Sequence, residues 1–270
     1  MSTISAGLTV STGLNWASDT SGTLVLQSGG TANITVSNTA ITVSSTGNLL
    51  LQSSGVTGVL LDTNSRLRFA NIALTTAATG ALEYDGRVLY YTPTGTQRGI
   101  VPGWQFYRLD AAFAGTTAIT AQPFLGVGVT LTSATVYRFE ALMPVSKTVT
   151  ATAHTLSLGF GGNATINNIS YEFYSTNSTS LSYIDLTNGT IFGGVIQTAA
   201  ATSIASLGAT AAIYKMIMLK GIVSINAGGT FIPQYTISAA VGPYSTAAGS
   251  YFAIHPIGAA GANTSVGTWA

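Results

Sequence analysis

The segment from Gly80 to Pro102, GALEYDGRVLYYTPTGTQRGIVP, decides how this chain is organised. Within it, Asp85-Gly86 lies between two short runs of alternating apolar and polar residues, ALEY and RVLYY. An Asp-Gly pair flanked in this way predicts a β-hairpin, because a type I′ turn requires two residues that tolerate positive φ. Glu83 and Arg87 would then lie near each other across the hairpin. Since a two-stranded hairpin is marginally stable alone, this one has to pack on the rest of the chain or on sister chains.

Charged residues are scarce in the chain, and they cluster around this segment. Among 270 residues there are 9 Lys and Arg and 8 Asp and Glu. Nine of these residues fall between Asp62 and Asp110. Where charge is so rare, its clustering indicates a place at which segments or chains are held in one register.

The overall composition excludes several classes of protein. Apolar residues make up 46% of the chain and charged residues 6%, against about 25% charged residues in an average soluble domain. This balance argues against disorder and against an isolated monomer, so we expect the chain to bury much of its surface against copies of itself or other proteins. A net charge of +1 leaves no broad basic face for nucleic acid, and the chain has no cysteine for disulfides or thiolate chemistry.

Neither targeting nor membrane insertion is indicated. The N-terminal residues MSTISAGLTV lack the basic region and the apolar core of a signal peptide. The most apolar stretch, Ala211 to Ile225, is interrupted by Lys215 and Lys220. We therefore expect no signal peptide and no membrane span.

Two strings resemble segments of virion structural proteins of tailed bacteriophages, especially fibre and appendage proteins. The first is EYDG…YYTP.G..R, carried by Glu83, Tyr84, Asp85, Gly86, Tyr90, Tyr91, Thr92, Pro93, Gly95 and Arg98. The second is HTLSLGFGG, from His154 to Gly162. In that family the first string closes a repetitive N-terminal region and precedes a C-terminal head.

The resemblance, together with the charge cluster, implies that the hairpin region forms contacts within a collar or between the chains of a trimer. The residues expected to make these contacts are Glu83, Asp85, Gly86, Arg87, Tyr90, Tyr91 and Arg98.

An internal repeat precedes the hairpin. GTLVLQSGG, which begins at Gly22, aligns with GNLLLQSSG, which begins at Gly47. Each copy is expected to form strand, glycine turn and strand. Such units cannot bury a face alone, and two copies are too few for a monomeric solenoid. Three chains wound together would supply the missing core, as in the shafts of phage fibres.

Helix signals are nearly absent, and the C-terminal part is expected to contain many short strands. Eight to ten strands in such a length predict a jelly roll or a related sandwich. The fold prediction is therefore all-β, with a repetitive stalk (residues 1–80), a hairpin collar (81–102) and a jelly-roll-like β-sandwich head (103–270), assembled as an intertwined trimer. The predicted strands of the head are Trp104–Leu109, Gly126–Leu131, Val136–Leu142, Ala153–Phe160, Asn168–Tyr174, Leu181–Leu186, Thr190–Gln197, Ala211–Ile225 with a bend at Gly221, Phe231–Ile237 and Tyr251–Ile254.

Catalysis is poorly supported by the acidic residues of the head, which are Asp110, Glu140, Glu172 and Asp185. A glycosidase needs two carboxyl groups about 5–10 Å apart. Glu140 with Glu172 is one conceivable pair, but neither lies in a recognisable motif. Arg138 and Glu140 lie two apart on one strand face, which favours a structural role. We expect no enzyme activity.

The two histidines do not predict a metal site. A zinc site needs three or four ligands, and His154 and His255 are far apart in a chain without cysteine. We expect both to be packing or interface residues. Neither a phosphate-binding loop nor a nucleophile elbow is present, so no cofactor is predicted.

Tyrosines of the head suit either recognition of a sugar or protein or contacts between subunits, because a rigid amphipathic ring offers contact area at low entropic cost. Both alternatives stay open. The loop tips expected to touch a receptor are those that carry Asn177, Tyr183 and Tyr244.

The resemblance implies a structural protein of a virion, assembled in the host cytoplasm. The first hypothesis is a trimeric tail fibre or spike whose N-terminal region attaches to other virion proteins and whose head contacts a host surface glycan or protein. The alternative is a head fibre or decoration protein on the outside of the capsid. A polysaccharide depolymerase is the third hypothesis.

Overall fold

The computed structural model describes most of the chain after residue 63 and six strands before residue 70. Its described residues are 24–28, 31–36, 41–42, 49–53, 56–61, 64, 66–74, 76–148, 152–178, 191–208, 212–261, 263 and 265–269. Up to residue 61, and at 177, 178 and 191, the backbone alone is described. The chain divides into two compact units, Met1–Asn71 and Ile72–Ala270.

The first unit contains two three-stranded antiparallel sheets with one repeated register. Leu24 pairs with Val36 in the first sheet, and Leu49 pairs with Leu61 in the second. Each residue of the second pair therefore follows its counterpart in the first by the same number of positions that separates the two copies of the sequence repeat. The register shift between Leu26 and Gln27 recurs between Leu51 and Gln52. The sequence repeat is therefore a structural repeat that includes its β-bulge. The strands are β1 (Leu24–Ser28), β2 (Thr31–Val36), β3 (Ile41–Thr42), β4 (Leu49–Ser53), β5 (Val56–Leu61) and β6 (Leu67–Phe69).

The collar forms a third sheet of three antiparallel strands at the start of the second unit. Its strands are β7 (Leu82–Tyr84), β8 (Leu89–Tyr91) and β9 (Gly99–Val101). The predicted hairpin is present as β7 and β8, with Glu83 opposite Tyr90. The strand β9 pairs with β8 and completes the sheet, which adds the third strand that an isolated hairpin lacks.

The head consists of a large and a small antiparallel sheet. The large sheet has the strand order β10-β22-β14-β19-β16-β17, with the short strands β11 and β21 at its side, and the small sheet has the order β12-β20-β15-β18, with β13 also paired to β20. The strands are β10 (Gln105–Arg108), β11 (Phe113–Ala114), β12 (Gln122–Pro123), β13 (Val129–Leu131), β14 (Thr135–Lys147), β15 (His154–Gly161), β16 (Thr165–Ser178), β17 (Ile191–Ile196), β18 (Thr202–Leu207), β19 (Ile213–Ala227), β20 (Gly229–Ile237), β21 (Ser245–Thr246) and β22 (Tyr251–Ala259).

The order in which the chain visits the two sheets is that of a jelly roll. Its eight principal strands are β10, β12 with β13, β14, β15, β18, β19, β20 and β22. When these eight strands are numbered along the chain, their order is 1-8-3-6 in the large sheet and 2-7-4-5 in the small sheet. This is the double Greek key of jelly rolls. The strands β16 and β17 form an insertion that widens the large sheet beyond β19.

The core lies between the two sheets and is rich in aromatic rings. Phe139 of the large sheet is fully buried and contacts Phe160 and Phe231 of the small sheet, with ring centroids 5.3 Å and 6.0 Å apart. Burial alternates along β14 and β20, as expected of strands with one face in the core.

The all-β prediction is confirmed, and the described residues contain no helix, hence none that could cross a membrane. The sandwich architecture agrees with the prediction as well. The strand β18 was missed because the Ala-rich sequence around Thr202 lacks β-branched alternation. At Gly221, where a bend was predicted, β19 pairs with both β14 and β16 without a register shift, so there is no bulge or break at that residue. The predicted strand Leu181–Leu186 lies outside the described residues.

Candidate functional site

The turn of the collar hairpin is organised by the side chain of Asp85. Its Oδ1 accepts hydrogen bonds from the backbone N–H groups of Arg87 and Val88, at 2.8 Å and 2.7 Å. Gly86 has a φ of 90°, whereas Asp85 does not adopt positive φ. The type I′ expectation over Asp85-Gly86 is therefore wrong. The two central residues of the turn are Gly86 and Arg87, and a glycine in the first of these positions is typical of a type II′ turn. The side chain of Asp85 accepts hydrogen bonds from the backbone N–H groups of this turn.

A nearly buried ion pair ties this hairpin to the segment before β9. Arg98 donates from Nη2 and from Nε to Oε2 of Glu83, at 2.6 Å and 2.8 Å. The expected neighbour of Glu83, Arg87, is instead exposed to solvent. The register of the sheet explains this difference. Glu83 lies opposite Tyr90, and the arginine that reaches its carboxylate is the residue just before the third strand, β9.

Tyr90 completes the collar's polar network. Its ring is buried, and its hydroxyl donates to Oδ2 of Asp85 at 3.1 Å. Burial, followed by the negative charge of Asp85, raises the pKa of Tyr90 to about 12. The collar thus contains two side-chain pairs within one chain, Glu83 with Arg98 and Asp85 with Tyr90. Tyr91 is exposed, and contacts of the collar with sister chains stay a prediction.

Among the described carboxylates of the head, Glu140 and Glu172 lie on the same face of the large sheet but on strands that are not neighbours. The backbone register places Glu140 opposite Lys220 and Lys220 opposite Glu172, so the two glutamates lie two strands apart on the outer face of the large sheet with a lysine between them. Asp110 is exposed and pairs with Arg108 at 2.7 Å. Asp185 lies outside the described residues. The described residues of this region thus form a row of alternating charges, in which Lys220 separates Glu140 from Glu172.

Both histidines are buried, and each contacts aromatic residues. Nε2 of His154 lies 2.7 Å from the hydroxyl of Tyr244, and the ring of His255 lies 4.2 Å from that of Trp104. Burial lowers the pKa of each imidazole. Within the described part of the chain, no three His, Asp or Glu residues come close enough to hold a metal ion.

Of the three residues expected at receptor-contacting loop tips, the structure describes the side chain of Tyr244 alone. Tyr244 is only 2% exposed, so its assignment to such a tip is wrong: its ring packs in the core against Tyr235. Asn177 belongs to the strand β16 rather than to a loop, and its side chain is outside the described set. Tyr183 also lies outside the described residues.

Two buried lysines were not anticipated from the sequence. The ammonium group of Lys215 is fully buried and makes no hydrogen bond in the described structure. It lies 5.4 Å from the centroid of the Phe192 ring, and burial lowers its pKa to about 8. Lys147, also buried, donates to the carbonyl of Thr148 at 3.1 Å. The sequence could have indicated their burial, because side chains alternate between the core and the solvent along β14 and β19 and both lysines occupy core-facing positions.

A cleft of about 690 Å³ lies between the collar, the C-terminal residues and the outer face of the large sheet. Its wall combines the apolar side chains of Ile100 and Ile222 with the polar groups of Arg138 and Asn168, and Trp269 stands at its side. Trp269 is 81% exposed. A concave site of this size with an apolar wall and a few polar groups is typical of ligand-binding sites.

Comparison with known proteins shows little similarity. No protein-family model and no curated protein matches the chain. One solved structure, titled "Structure of infectious bursal disease virus Gx strain", aligns with 61% of this chain and 44% of that chain, at 10% sequence identity and a TM-score of 0.14. The alignment thus spans less than half of that viral chain, and so weak a similarity does not establish a common fold.

Proposed function

We propose that this chain is a structural protein of a tailed-bacteriophage virion: a trimeric fibre or spike, attached through its stalk to other virion proteins, whose head contacts the host surface. It is proposed to have no enzymatic activity and to reach the virion by assembly in the host cytoplasm. The observation that carries the proposal is the repeated sheet of the first unit. The lengths of the first two strands, their register and their bulge all recur from the first sheet to the second.

The repeat supports a trimer for a physical reason. A small three-stranded sheet needs a hydrophobic face packed on something else to be stable. Repeat architectures meet this need by stacking neighbours, and at least three units are generally required. Sister chains wound around the same axis supply the missing units. The two sequence strings that resemble phage appendage proteins, around Asp85 and around His154, support the same assignment.

The cleft beside Trp269 is the proposed place of host contact. A guanidinium, an amide and an exposed indole together can bind the hydroxyl groups and the ring face of a saccharide. Cell adsorption of fluorescently labelled protein would test this. We expect Trp269→Ala and Arg138→Ala to reduce adsorption at least tenfold. Ile119→Ala, which removes an exposed apolar side chain outside the cleft, should leave adsorption unchanged.

The place on the particle can be tested directly by imaging intact virions with gold-labelled antibody and by counting copies from gel band intensity. Label at the tail tip with tens of copies is the expected result. Label spread over the capsid with hundreds of copies would instead assign the chain to the decoration proteins. Deletion of residues 1–80 should abolish incorporation into virions, and normal incorporation of that truncation would contradict the anchoring role of the stalk.

A further inference from the structure

The outer face of the large sheet carries two apolar patches at its opposite edges. The β10-edge patch consists of Trp104, Phe106 and Tyr251, and the β17-edge patch consists of Tyr174, Val195 and Met218. Apart from the half-buried Tyr251, these side chains are between 40% and 70% exposed. Exposed apolar groups that cluster in this way mark interaction sites more often than scattered ones do.

Backbone register places the two patches at the ends of one continuous row across the sheet. The row consists of Phe106, Ala253, Glu140, Lys220, Glu172 and Val195. It spans five intervals between neighbouring strands, so Phe106 and Val195 lie roughly 24 Å apart at about 4.8 Å per interval. The two patches therefore cannot contact each other within one chain.

One residue of each patch lies on an edge strand, Phe106 on β10 and Val195 on β17. In the described sheet, β10 pairs only with β22 and β17 pairs only with β16. Such edges leave a row of backbone N–H and C=O groups without a strand partner, and proteins usually protect them with charge, proline or a covering segment. The β17 sequence, IFGGVI, contains neither a charged residue nor proline. This edge therefore depends on a covering segment or chain for its protection.

The charged residues at the centre of the row argue against face-to-face packing of two large sheets. Glu140, Lys220 and Glu172 make no ion pair among the described residues. Face-to-face packing of two large sheets would take these charges out of water, which is costly without well-formed partners. Contact between the edges buries the apolar side chains and leaves the charged row hydrated.

We propose that the heads pack head to tail, with the β10-edge patch of one chain against the β17-edge patch of the next, and that three such contacts close a ring. This inference rests on the proposed trimer and names the surface that forms it. Two different patches on one subunit form a heterologous interface, which yields a closed ring when the rotation between neighbours allows it. The rings at the β10 edge are pre-positioned, because Phe106 stacks on Tyr251 with centroids 5.1 Å apart and Trp104 packs on the buried His255.

Cross-linking of the full chain tests the contact, because the protein has no cysteine of its own. The test variant carries Phe106→Cys and Val195→Cys, and it is treated with a short bis-maleimide. We expect a covalent species of three chains on a denaturing gel. Each single-cysteine variant should remain at one chain. A matched control with Ile119→Cys and Val195→Cys, in which Ile119 is exposed outside the sheet, should give at least tenfold less trimer.

The outcomes separate this inference from the proposed assembly. Light scattering first measures the mass of the untreated wild-type protein. A monomeric wild type overturns the trimer and the inference together. A trimeric wild type whose double variant cross-links no better than the control overturns the inference alone. A dimer from a single-cysteine variant shows that like patches meet, and a ladder beyond three chains shows an open filament; either result contradicts the closed ring.

Discussion

Arg98 binds one carboxylate oxygen of Glu83 through both Nη2 and Nε, across 15 residues of chain. The two side chains are 13% and 9% exposed. The pair connects the first strand of the collar to the segment that leads into its third strand. It thereby links the two outer strands of the three-stranded sheet to each other.

We predict that Glu83→Gln destabilises the collar. The amide still accepts a hydrogen bond, but the guanidinium of Arg98 loses the negative charge of Glu83 in a poorly hydrated place. We expect a loss of roughly 3 kcal/mol in the local free energy of unfolding. Hydrogen exchange of the Tyr90 and Tyr91 amides measures this loss. Arg87→Gln, which removes an exposed charge in the same turn, is the control and should change exchange little; equal protection in both variants would contradict a role for the ion pair.

We predict that Lys215→Met stabilises the protein at neutral pH. Among the described residues the buried ammonium group has no hydrogen-bond partner, and its position over the Phe192 ring offsets the lost hydration only in part. A methionine of similar length fills the space without this cost. Chemical denaturation should show an increase of roughly 3 kcal/mol, which follows from a folded pKa of about 8 against about 10.4 unfolded.

The same lysine predicts a dependence of stability on pH. Because its pKa is lowered by folding, the unfolded chain binds more protons between about pH 8 and pH 10, and the free energy of unfolding rises with pH in that window. Tyr90 and Tyr171, whose pKa values are raised to about 12, reverse the trend above pH 10. The rise should be much smaller in Lys215→Met. A variant with the wild-type slope would show that Lys215 is not the group responsible.

We predict that Gly221→Ala disrupts the core of the head. A Cβ at this position would clash with the Cβ of Tyr171 and would lie 2.5 Å from the carbonyl oxygen of Ser170. Gly221 pairs with Phe139 on one side and Tyr171 on the other, whose ring centroids are 6.1 Å apart. We expect a loss of about 2 kcal/mol in thermal or chemical unfolding. Gly103→Ala, where no atom lies within 4 Å of the added Cβ, should unfold like the wild type.

We predict that the two buried histidines make the head sensitive to mild acid. Burial lowers the pKa of His154 and of His255, so the unfolded chain takes up protons first as the pH falls below about 6.5, and stability is lost in that range. Unfolding midpoints measured from pH 7 to pH 5.5 should fall. The double variant His154→Gln with His255→Gln should flatten this dependence, and an unchanged slope would assign it to other groups.

The sequence predicted well those elements whose formation depends on residues that are close together in the chain. The glycine-punctuated alternation around Val136 and Phe231 predicted strands, because the period of side-chain exposure is a property of the strand itself. The repeat from Gly22 predicted two equivalent sheets. Asp85-Gly86 predicted a hairpin, and both residues do shape its turn.

The partners of individual side chains were less predictable. Arg98 rather than Arg87 neutralises Glu83, because that contact needs a third strand whose return the hairpin sequence does not specify. Tyr244 was expected in an exposed loop, yet its hydroxyl meets His154 in the core, 90 residues away. The sequence gives the type of each residue, whereas the burial of its side chain depends on which distant segments of the chain pack against it.

By itself, the sequence determined that this protein is built of short antiparallel strands, that its N-terminal part contains two copies of one unit and that charge is concentrated near the collar. These properties follow from local alternation, turn residues and composition. The sequence also predicted a jelly-roll-like sandwich, whereas the tertiary structure alone decided that β16 and β17 widen its large sheet, that Lys215 lies in the core, and that Phe106 and Val195 end one row at opposite edges of that sheet. The reason is that strand order is set by contacts between residues far apart in the chain, and these depend on the summed packing of all strands.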